Sequence, residues 1–501
     1  RDRGKAARLY HECCLALTLK GYVVLALDPT GQGERSEYFD SDSGEPLVPL
    51  CVSHHHYLGR PSWLVGRSLA GYRTWDCARA IDYLISRPEV DPDQIAAVGN
   101  SGGGIMALLI TAYDSRVKVC AAAHPGGSME QTFLTGRQIP QADILSLIPP
   151  RPCLFVVGRD SGEEAGHRNK MNGMLPFYKG LGVDTDRCRM VLVDGVHNME
   201  QPKREPCYAW LNRWFARENE GAKEPPLTPE TSEALGCTET GLALRDLGGE
   251  SGRTLNAQAA ERLRPRRRIP DDLTSLEAQR ARVRSAVARR IGLQLPEDRQ
   301  PPRATACGSV EGDVFRGVKL LLDSEDGIFM PSLLLRPKTS ERNLPVILFV
   351  SELGKPFSVK QPSLVVELVR QGFPVLAVDV RGSGETDPRV REFLSPVTEY
   401  DRLQFRFDTW AVEAASLGTT MLAMRTYDVV RGIDYLESCQ DLSRRRVLLI
   451  GEGLGGVWAL AAAAFDGRPA GAICVAATPS YKLIVESQYY ALRDYYWVSG
   501  A

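Results

Sequence analysis

The 501-residue sequence predicts an α/β fold, a mostly parallel sheet flanked by helices, and predicts that this fold occurs twice in tandem. Short apolar runs alternate with segments of helical length, which is typical of parallel strands joined by helices. The stretch 94–110 (QIAAVGNSGGGIMALLI) joins such a run to a helix through a glycine-rich turn. Two sequences of the first half also recur in the second half, which indicates two copies of one fold.

The length, net charge and hydropathy of the sequence indicate which kinds of molecule the protein binds. A chain of this length is too long for one ordinary core, so two domains are expected. The 61 basic and 62 acidic residues leave a net charge of −1, which gives no general attraction to nucleic acid or to an anionic membrane. No apolar run is long enough to cross a bilayer. We therefore expect a small-molecule or polymer substrate, and neither nucleic acid nor a membrane as partner.

The 12 cysteines stand singly apart from Cys13 and Cys14, with no C-x-x-C pair and no metal-ligand spacing. Most are expected to be small buried hydrophobic residues. The sequence therefore predicts neither a disulfide scaffold nor a metal site.

Residues 6–20 open the sequence as a predicted helix. No strand and no signal peptide precedes it, so we expect the true N-terminus to be missing, and the compartment stays open. Residues 22–27 (YVVLAL) have the pattern of a buried strand, and residues 28–34 that of the turn after it. The G-x-G in this turn suggests a dinucleotide loop, but Ser36 stands where the third glycine is required. A structural turn is therefore favoured.

Three histidines follow in a row, His54, His55 and His56. Adjacent residues of a strand cannot all face one metal ion, and no carboxylate stands at helical spacing from them. They are predicted to be loop residues that cover the site, with substrate or metal contact as the alternative.

The glycine-rich turn carries the chemistry. A helix over residues 68–86 leads into a strand at residues 95–98, and the turn after that strand has Ser101 at its apex. A G-x-S-x-G pattern between strand and helix presents the serine hydroxyl outward as a nucleophile. The Gly102 N–H then points to where an oxyanion would form. A purely structural turn is the alternative.

Three further strands are predicted, and chemistry-bearing residues follow each of them. His124 follows the first, Asp160 the second and His197 the third, and the predicted strands span residues 117–123, 153–157 and 189–193. Because loops at the carboxyl ends of parallel strands converge on one edge of the sheet, these side chains are expected near Ser101. A final amphipathic helix then covers the sheet.

The order serine, acid, histidine predicts a catalytic triad of Ser101, Asp160 and His197. His197 would take the proton of Ser101, and Asp160 would hold the imidazole in the required tautomer. Rival residues remain for two of the roles. They are Glu163 and Glu164 for the acid, and His124 and His167 for the base, with His124 also placed on a substrate-facing loop.

The combination RPEVDPDQIAAVGNSGGG with a later DGVHNME resembles the acetyl xylan esterase and dienelactone hydrolase branch of the α/β-hydrolase superfamily, which adjoins the prolyl oligopeptidase-type peptidases. The resemblance covers about residues 1–216. It implies acyl-enzyme chemistry on an ester, with Ser101, Asp160 and His197 as triad and the Gly102 amide as one oxyanion donor. In that family a further oxyanion donor follows a strand that precedes the first helix. The first copy is therefore expected to lack its first strands.

Residues 217–303 are rich in Pro, Glu, Thr, Gly and Arg, which is typical of an interdomain linker. Thr274 and Glu277 fit a capping box for one helix in this linker. The arginines of residues 262–268 lack the interleaved aromatic residues of a nucleic-acid surface, so a solvated linker is favoured. The predicted domains on either side are residues 1–216 and 304–501.

The second half repeats the first by eye. GYVVLALDPTGQGE from Gly21 reappears as GFPVLAVDVRGSGE from Gly372, and RTWDCARAIDYL from Arg73 reappears as RTYDVVRGIDYL from Arg425. Strands that match those absent from the start of the chain are predicted at residues 318–322, 332–335 and 346–350. The second half is therefore predicted to be another α/β-hydrolase fold.

This second copy is predicted to be catalytically inactive. Gly453 stands where Ser101 stands in the first copy, and no histidine follows His197. The sequence also stops before any counterpart of the Asp160 and His197 strands, so this copy too is expected to be incomplete. Its GEGLGG matches a dinucleotide loop, but the strand at 470–477 ends without the required acid. No cofactor is therefore expected.

We expect a serine carboxylesterase of the acetyl xylan esterase type, which would remove acetyl groups from carbohydrate esters. A prolyl oligopeptidase-like peptidase is the first alternative, although the propeller of such enzymes is not seen in the sequence. A non-catalytic glycan- or partner-binding protein is the second. A xylan-type substrate would suggest export from the cell.

Overall fold

The fold was analysed in a computed structural model, which describes residues 4–47, 52–126, 141–217, 221–264, 269–339, 344–355, 363–387, 410–442 without 412 and 416, and 444–487. The chain forms two compact units. Unit 1 is the described part of Arg1–Arg264 together with residues 484–487, and unit 2 is the described part of Pro265–Leu483. Within the described residues, no helix combines the length and apolar character that a membrane crossing requires.

Unit 1 alternates helices with parallel strands. Its helices are α1 (Arg8–Leu19), α2 (Val52–Leu64), α3 (Leu69–Ile85), α4 (Gly102–Tyr113), α5 (Gln141–Leu145), α6 (Glu164–Gly180), α7 (Gln201–Trp214), α8 (Ala243–Leu247) and α9 (Gly252–Leu263). Its strands are β1 (Ile95–Asn100), β2 (Val117–Ala123), β3 (Cys153–Gly158) and β4 (Cys188–Val193). The predicted opening helix, the helix before the elbow and all four strands from residue 95 onward are therefore found.

The four strands pair in chain order, β1-β2-β3-β4, and every pairing is parallel. Cys120 lies opposite Cys153, which lies opposite Cys188. Because the strands run in one direction, the loops that leave their carboxyl ends share one edge of the sheet. These loops contain Ser101, His124, the turn after Gly158, and His197.

Helices cover both faces of this sheet, which explains why every residue of strand β2 except Lys118 is apolar. Its Cys120 and Ala122 pack in a core with residues of α4 and α6, whereas Val119, Ala121 and Ala123 pack in another with residues of α1 and α7. A strand buried on both faces has no polar alternation, since successive side chains point to opposite sides.

Residues 22–27 were predicted to be a buried strand, and this prediction is wrong for the structure. No strand is assigned there, and Val23 and Leu25 are 51% and 40% exposed. The corresponding segment of unit 2 is a strand that is hydrogen-bonded on both sides. In unit 1 the described residues offer no such neighbouring strands, so the apolar pattern alone does not produce a strand here.

The described residues of the segment predicted as a linker with one helix form three helices. They are α8, α9 and α10 (Leu273–Ile291). Helix α10 starts two residues earlier than expected. Its N-cap is Asp272, which forms a capping box with Ser275, whereas the sequence predicted a capping box of Thr274 and Glu277. Gly292 ends the helix in the left-handed conformation, at φ 69°.

Unit 2 contains a seven-stranded mixed sheet in the order β11-β10-β8-β9-β7-β6-β5. The strands are β5 (Ala304–Glu311), β6 (Phe315–Glu325), β7 (Ile328–Pro337), β8 (Val346–Ser351), β9 (Val375–Val378), β10 (Val447–Glu452) and β11 (Gly471–Val475). Besides α10, the helices are α11 (Leu364–Arg370), α12 (Met421–Ser438) and α13 (Leu454–Phe465). The last described helix, α14 (Tyr481–Glu486), begins in unit 2 and ends in the residues assigned to unit 1. All the predicted strands of this half are found, and β5 is an addition.

Parallel and antiparallel pairing divide the sheet of unit 2. Strands β11, β10, β8 and β9 are parallel to one another, whereas β7, β6 and β5 add to β9 as an antiparallel meander. Strand β8 is buried along all six of its residues. Its central place between β10 and β9 explains its continuous apolar sequence.

Candidate active site

Ser101 lies at a sharp turn between β1 and α4. Its backbone angles are φ 56° and ψ −118°, a conformation that non-glycine residues rarely adopt. The Ser101 N–H donates to the Ala123 carbonyl at 2.9 Å, and the Gly126 N–H donates to the Ser101 carbonyl at 3.2 Å. The predicted turn is therefore present, and it is tied to the residues that follow β2.

The neighbouring glycines are required by close packing. A Cβ atom at Gly99 would lie 2.1 Å from the Gly103 carbonyl oxygen, and one at Gly104 would lie 2.7 Å from the Ala123 carbonyl oxygen. Both distances are far too short for any side chain. The strand and helix can approach this closely only where no Cβ is present.

Gly102, the predicted oxyanion donor, is the first residue of α4. The first N–H groups of a helix have no partner within the helix, and they lie at the positive end of its dipole. An oxyanion formed next to Ser101 would therefore meet a donor that is already oriented.

His197 is paired with Glu163. The His197 Nδ1 atom lies 2.8 Å from Oε1 and 3.0 Å from Oε2 of the Glu163 carboxylate. Glu163 immediately precedes α6, and its side chain is 37% exposed. Partial burial tends to raise the pKa of this carboxyl, but hydrogen bonds from His124 and His197 hold it below the usual value.

Asp160, the predicted acid, has a different partner. Its Oδ2 accepts a hydrogen bond from the Gly195 N–H at 3.0 Å, and its own N–H donates to the Gly195 carbonyl at 3.1 Å. Asp160 therefore holds the turn that carries His197, and the carboxylate against the imidazole belongs to Glu163. The remaining candidate, Glu164, forms an ion pair with Arg168.

The local backbone explains this difference from the expectation. Residues Arg159–Ser161 form a short 3-10 helix after β3, and Gly162 follows in the left-handed conformation at φ 72°. This turn places Asp160 beside the Gly195 turn and Glu163 beside His197. The adjacent glutamates Glu163 and Glu164 were the sequence signal for the carboxylate that contacts His197, but the sequence did not reveal the direction in which this turn presents its side chains.

His124 lies between these groups and is fully buried. Its Nδ1 atom is 2.7 Å from Glu163 Oε2, and its Nε2 atom accepts a hydrogen bond from the Gly158 N–H at 3.1 Å. The rings of His124 and His197 are 4.6 Å apart. Burial lowers the pKa of His124. His124 is therefore a neutral, internal residue, and the expectation that it faces substrate is wrong.

His167 completes a shell of three histidines around Glu163. Its Nε2 atom lies 3.6 Å from Glu163 Oε2, and burial lowers its pKa to about 4. In the described part of the chain, its Nδ1 atom is buried without a hydrogen-bond partner. His167 is thus not paired as a catalytic base would be.

Nitrogen and oxygen atoms of His124, Glu163 and His167 lie within 4.8 Å of one another, which is compatible with a metal ion. The hydrogen bond from Gly158 opposes this use. Since His124 Nε2 accepts from an N–H, the ring proton is on Nδ1, the same atom that would have to bind the metal. The arrangement suits a hydrogen-bond network better than a metal centre.

The three consecutive histidines lie in helix α2, not in the predicted loop. His54 is buried, with its Nδ1 atom 3.2 Å from the Gly31 carbonyl and its ring against Tyr38. His55 is partly buried, and the side chain of His56 lies outside the described residues. The described contacts of His54 give it a structural role in unit 1.

Unit 2 has a turn of the same geometry at Gly453. Its angles are φ 59° and ψ −128°, and its N–H donates to the Val475 carbonyl at 2.9 Å. The Leu454 N–H, in the place of the Gly102 N–H, donates to the Glu352 carboxylate at 3.0 Å. A Cβ at Gly453 would lie 2.7 Å from the Glu352 carboxyl carbon, so a nucleophile and this carboxylate exclude each other.

Two family descriptions match the chain. Residues 345–501 match the family described as alpha/beta hydrolase fold, and residues 65–141 match the prolyl oligopeptidase family. The second range contains Ser101, and the first contains Gly453. Each unit therefore contains a segment that matches a hydrolase family, the prolyl oligopeptidase family in unit 1 and the alpha/beta hydrolase fold in unit 2.

Individual proteins are also similar. "Putative hydrolase YtaP" of Bacillus subtilis (strain 168) is 31% identical over 216 residues, which are 40% of this chain and 67% of that protein. "Acetyl esterase Axe7A" of Xylanibacter ruminicola is 41% identical over 61 residues, 12% of this chain and 14% of that protein. The solved structure "Methylesterase BT1017" has a TM-score of 0.41 at 18% identity, over 52% of this chain and 57% of that one. The chain thus spans less than two thirds of the latter two.

Proposed function

The chain belongs to the α/β-hydrolase family, and on that premise we propose that it is a serine carboxylic ester hydrolase that works through an acyl-enzyme. Ser101 is the nucleophile, His197 the general base, Glu163 the acid that orients it, and the Gly102 N–H one oxyanion donor. The observation that carries this proposal is the hydrogen bond between His197 and Glu163 in the same unit as the strained Ser101 turn.

The first half of the reaction transfers the acyl group to the enzyme. Ser101 Oγ attacks the ester carbonyl carbon while its proton passes to His197 Nε2, and the carbonyl oxygen becomes an oxyanion near the Gly102 N–H. The intermediate then collapses, the bond to the alcohol breaks, and the alcohol takes the proton from His197. Water repeats these steps on the acyl-enzyme and releases the acid.

Glu163 makes His197 competent for this role. Because the carboxylate accepts from Nδ1 at 2.8 Å, the ring proton stays on Nδ1 and the lone pair stays on Nε2. The depressed pKa of Glu163 keeps it charged well below neutral pH. Its negative charge then stabilises the imidazolium that forms when Ser101 is deprotonated.

We propose that the substrates are acetyl esters of carbohydrates. The similarity of a 61-residue stretch to an acetyl esterase supports an acetyl group, and the sequence resemblance to acetyl xylan esterases supports a carbohydrate alcohol. Peptide hydrolysis is the second candidate, because residues 65–141 match the prolyl oligopeptidase family. Residues 304–501 are proposed to be a second, non-catalytic copy beside a first domain at residues 1–216.

Steady-state hydrolysis of p-nitrophenyl acetate, p-nitrophenyl butyrate and an aminoacyl p-nitroanilide tests the proposal. We expect ester turnover, acetate preferred over butyrate, and a loss of at least 10³-fold in kcat for Ser101→Ala. Ser115→Ala, at an exposed serine of the same unit, is the matched control and should keep full turnover. Faster amide than ester turnover would favour the peptidase, and a folded wild-type chain without any turnover would favour a binding protein.

A further inference from the structure

We propose that His124 is a positioning residue, which holds the Glu163 carboxylate in the orientation that His197 requires. This inference rests on the proposed function of the same site. It assigns a role to a histidine that takes no part in the acyl transfer itself. The juxtaposition behind it is one carboxylate shared by two imidazoles, with its Oε2 atom 2.7 Å from His124 and its Oε1 atom 2.8 Å from His197.

The backbone of β3 sets the tautomer of His124. The Gly158 N–H points at Nε2 at 3.1 Å, so Nε2 must be an acceptor and Nδ1 must carry the proton. That proton is then donated to Glu163. Gly158 is closely packed against the Gly195 turn, since a Cβ there would lie 2.2 Å from the Gly195 carbonyl oxygen. His124 is therefore a donor of fixed position and fixed direction.

Glu163 requires such an anchor. Its side chain has three rotatable bonds and is 37% exposed, so burial alone does not restrict it. His197, on the other side of the contact, is 35% exposed as well. His124 is fully buried and is the most enclosed member of the three. A carboxylate held at both oxygens by two ring donors has little freedom to turn away from His197.

The charged and titratable neighbours of His124 come from several elements. They are Glu163 before α6, His167 on α6, His197 after β4, and Lys203 on α7. Glu163 is the single anion among them, and it is the group to which His124 donates. A neutral His124 therefore donates a hydrogen bond to Glu163 but carries no positive charge. The negative charge of Glu163 then remains available to stabilise the imidazolium of His197.

The backbone at His124 is strained, but the chain itself shows that alanine tolerates it. His124 has φ 42°, and Ala476, which follows β11 as His124 follows β2, has φ 51°. Removing the imidazole by His124→Ala is therefore compatible with the local backbone. Asparagine keeps an N–H donor at a similar distance from Cα and also accepts positive φ.

The experiment measures kcat and KM of the full chain for p-nitrophenyl acetate between pH 5 and pH 9. For His124→Ala we expect kcat to fall on the order of 10²-fold, KM to stay within about twofold, and the acid limb of the kcat profile to move. His124→Asn should recover most of the loss. Wild-type kcat in His124→Ala, or equal losses in both variants, would overturn the proposal.

A second measurement does not depend on turnover. In protein labelled with ¹⁵N-histidine, the ring ¹⁵N shifts report which nitrogen of His197 carries the proton. We expect a single Nδ1–H tautomer in the wild type and in His124→Asn, and a mixture in His124→Ala. An unchanged tautomer in His124→Ala would overturn the role of His124 even if no ester is found to be a substrate. If His197 loses its single Nδ1–H tautomer in His124→Ala but the wild type hydrolyses no ester, the role of His124 is supported and only the proposed function is contradicted.

Discussion

Ser101 and Gly453 adopt nearly the same backbone conformation for different reasons. A serine at φ 56° carries a cost of about 1–3 kcal/mol, whereas a glycine at φ 59° carries almost none. A strained serine is retained only where the surrounding structure holds it, and here hydrogen bonds to Ala123 and from Gly126 do so. The strain at Ser101 is therefore consistent with a functional residue.

Single substitutions separate the two acids next to β3. Glu163→Gln removes the charge against His197 and lets the imidazole adopt the wrong tautomer, so we predict a fall in kcat of about 10³–10⁴-fold. Asp160→Asn keeps an oxygen that accepts from the Gly195 N–H, so its kcat should fall less than about tenfold. Both values come from initial rates with p-nitrophenyl acetate.

The two variants serve as controls for each other, because each replaces a carboxylate by the amide of the same shape in the same turn. A large loss in Asp160→Asn together with near wild-type activity in Glu163→Gln would reverse the assignment.

Sequence reasoning found the turn, Ser101 and His197 as candidates. It chose the wrong side chain against His197 because a 3-10 turn and one left-handed glycine decide the direction of residues 160 and 163.

His167 makes stability depend on pH. Its pKa is about 4 in the folded chain and has the ordinary value near 6.5 when unfolded. Between these values the unfolded chain binds more protons, so stability falls as the pH decreases from about 6.5 to 4. From pH 7 to pH 5 this histidine alone should remove about 2 kcal/mol.

Urea unfolding of the wild type and of His167→Leu at pH 7 and pH 5 measures this contribution. The leucine variant should lose about 2 kcal/mol less than the wild type over that interval, since its side chain does not titrate. The same pH dependence in both proteins would show that His167 is not buried in its neutral form.

At the scale of elements, apolar runs predicted the strands well where both neighbours are present. Strand β9 and residues 22–27 have nearly the same sequence, yet only β9 is a strand, between β8 and β7. A strand is defined by its hydrogen bonds to neighbouring strands, and the apolar pattern of one segment does not show whether those neighbours are present. In residues 217–303 the sequence predicted the helix that is α10, whereas the polar composition did not reveal α8 or the capping box that begins α9.

The turn at Gly453 gives a prediction about the stability of helix α13. Gly453→Ser places a side chain where Glu352 lies and at a positive φ, so α13 should be destabilised by about 2 kcal/mol or more. Glu352→Ala in the same chain should recover part of this loss by making room. Hydrogen exchange of peptides from β10 and α13 reports the change.

Glu352→Ala alone is the matched control, and it should weaken α13 only through the loss of the hydrogen bond from Leu454. The coupling between the two substitutions is the quantity of interest. Additive effects would contradict a direct clash between the introduced hydroxymethyl group and Glu352.

At the scale of the whole molecule, matching contacts support the repeat seen in the sequence. The Lys5 N–H and Nζ both donate to Asp28, and the Lys355 N–H and Nζ both donate to Asp379. Each lysine also donates to a glutamate, Glu34 in one unit and Glu385 in the other.

The buried arginines of the repeated RTWD and RTYD sequences also match. Arg73 donates to the Thr30 carbonyl, and Arg425 donates to the Arg381 carbonyl. In each unit this contact joins a long helix to the turn after the repeated apolar segment. Sequence identity predicted the correspondence, whereas the contacts that maintain it became visible only in three dimensions.

The account assigns chemistry to one turn of the whole chain. The most direct test is intact-mass spectrometry of the folded full chain after treatment with a fluorophosphonate, followed by peptide mapping. The account predicts one adduct per chain, on Ser101, and none in Ser101→Ala. A folded chain that takes no adduct, or an adduct on any other residue, would contradict it.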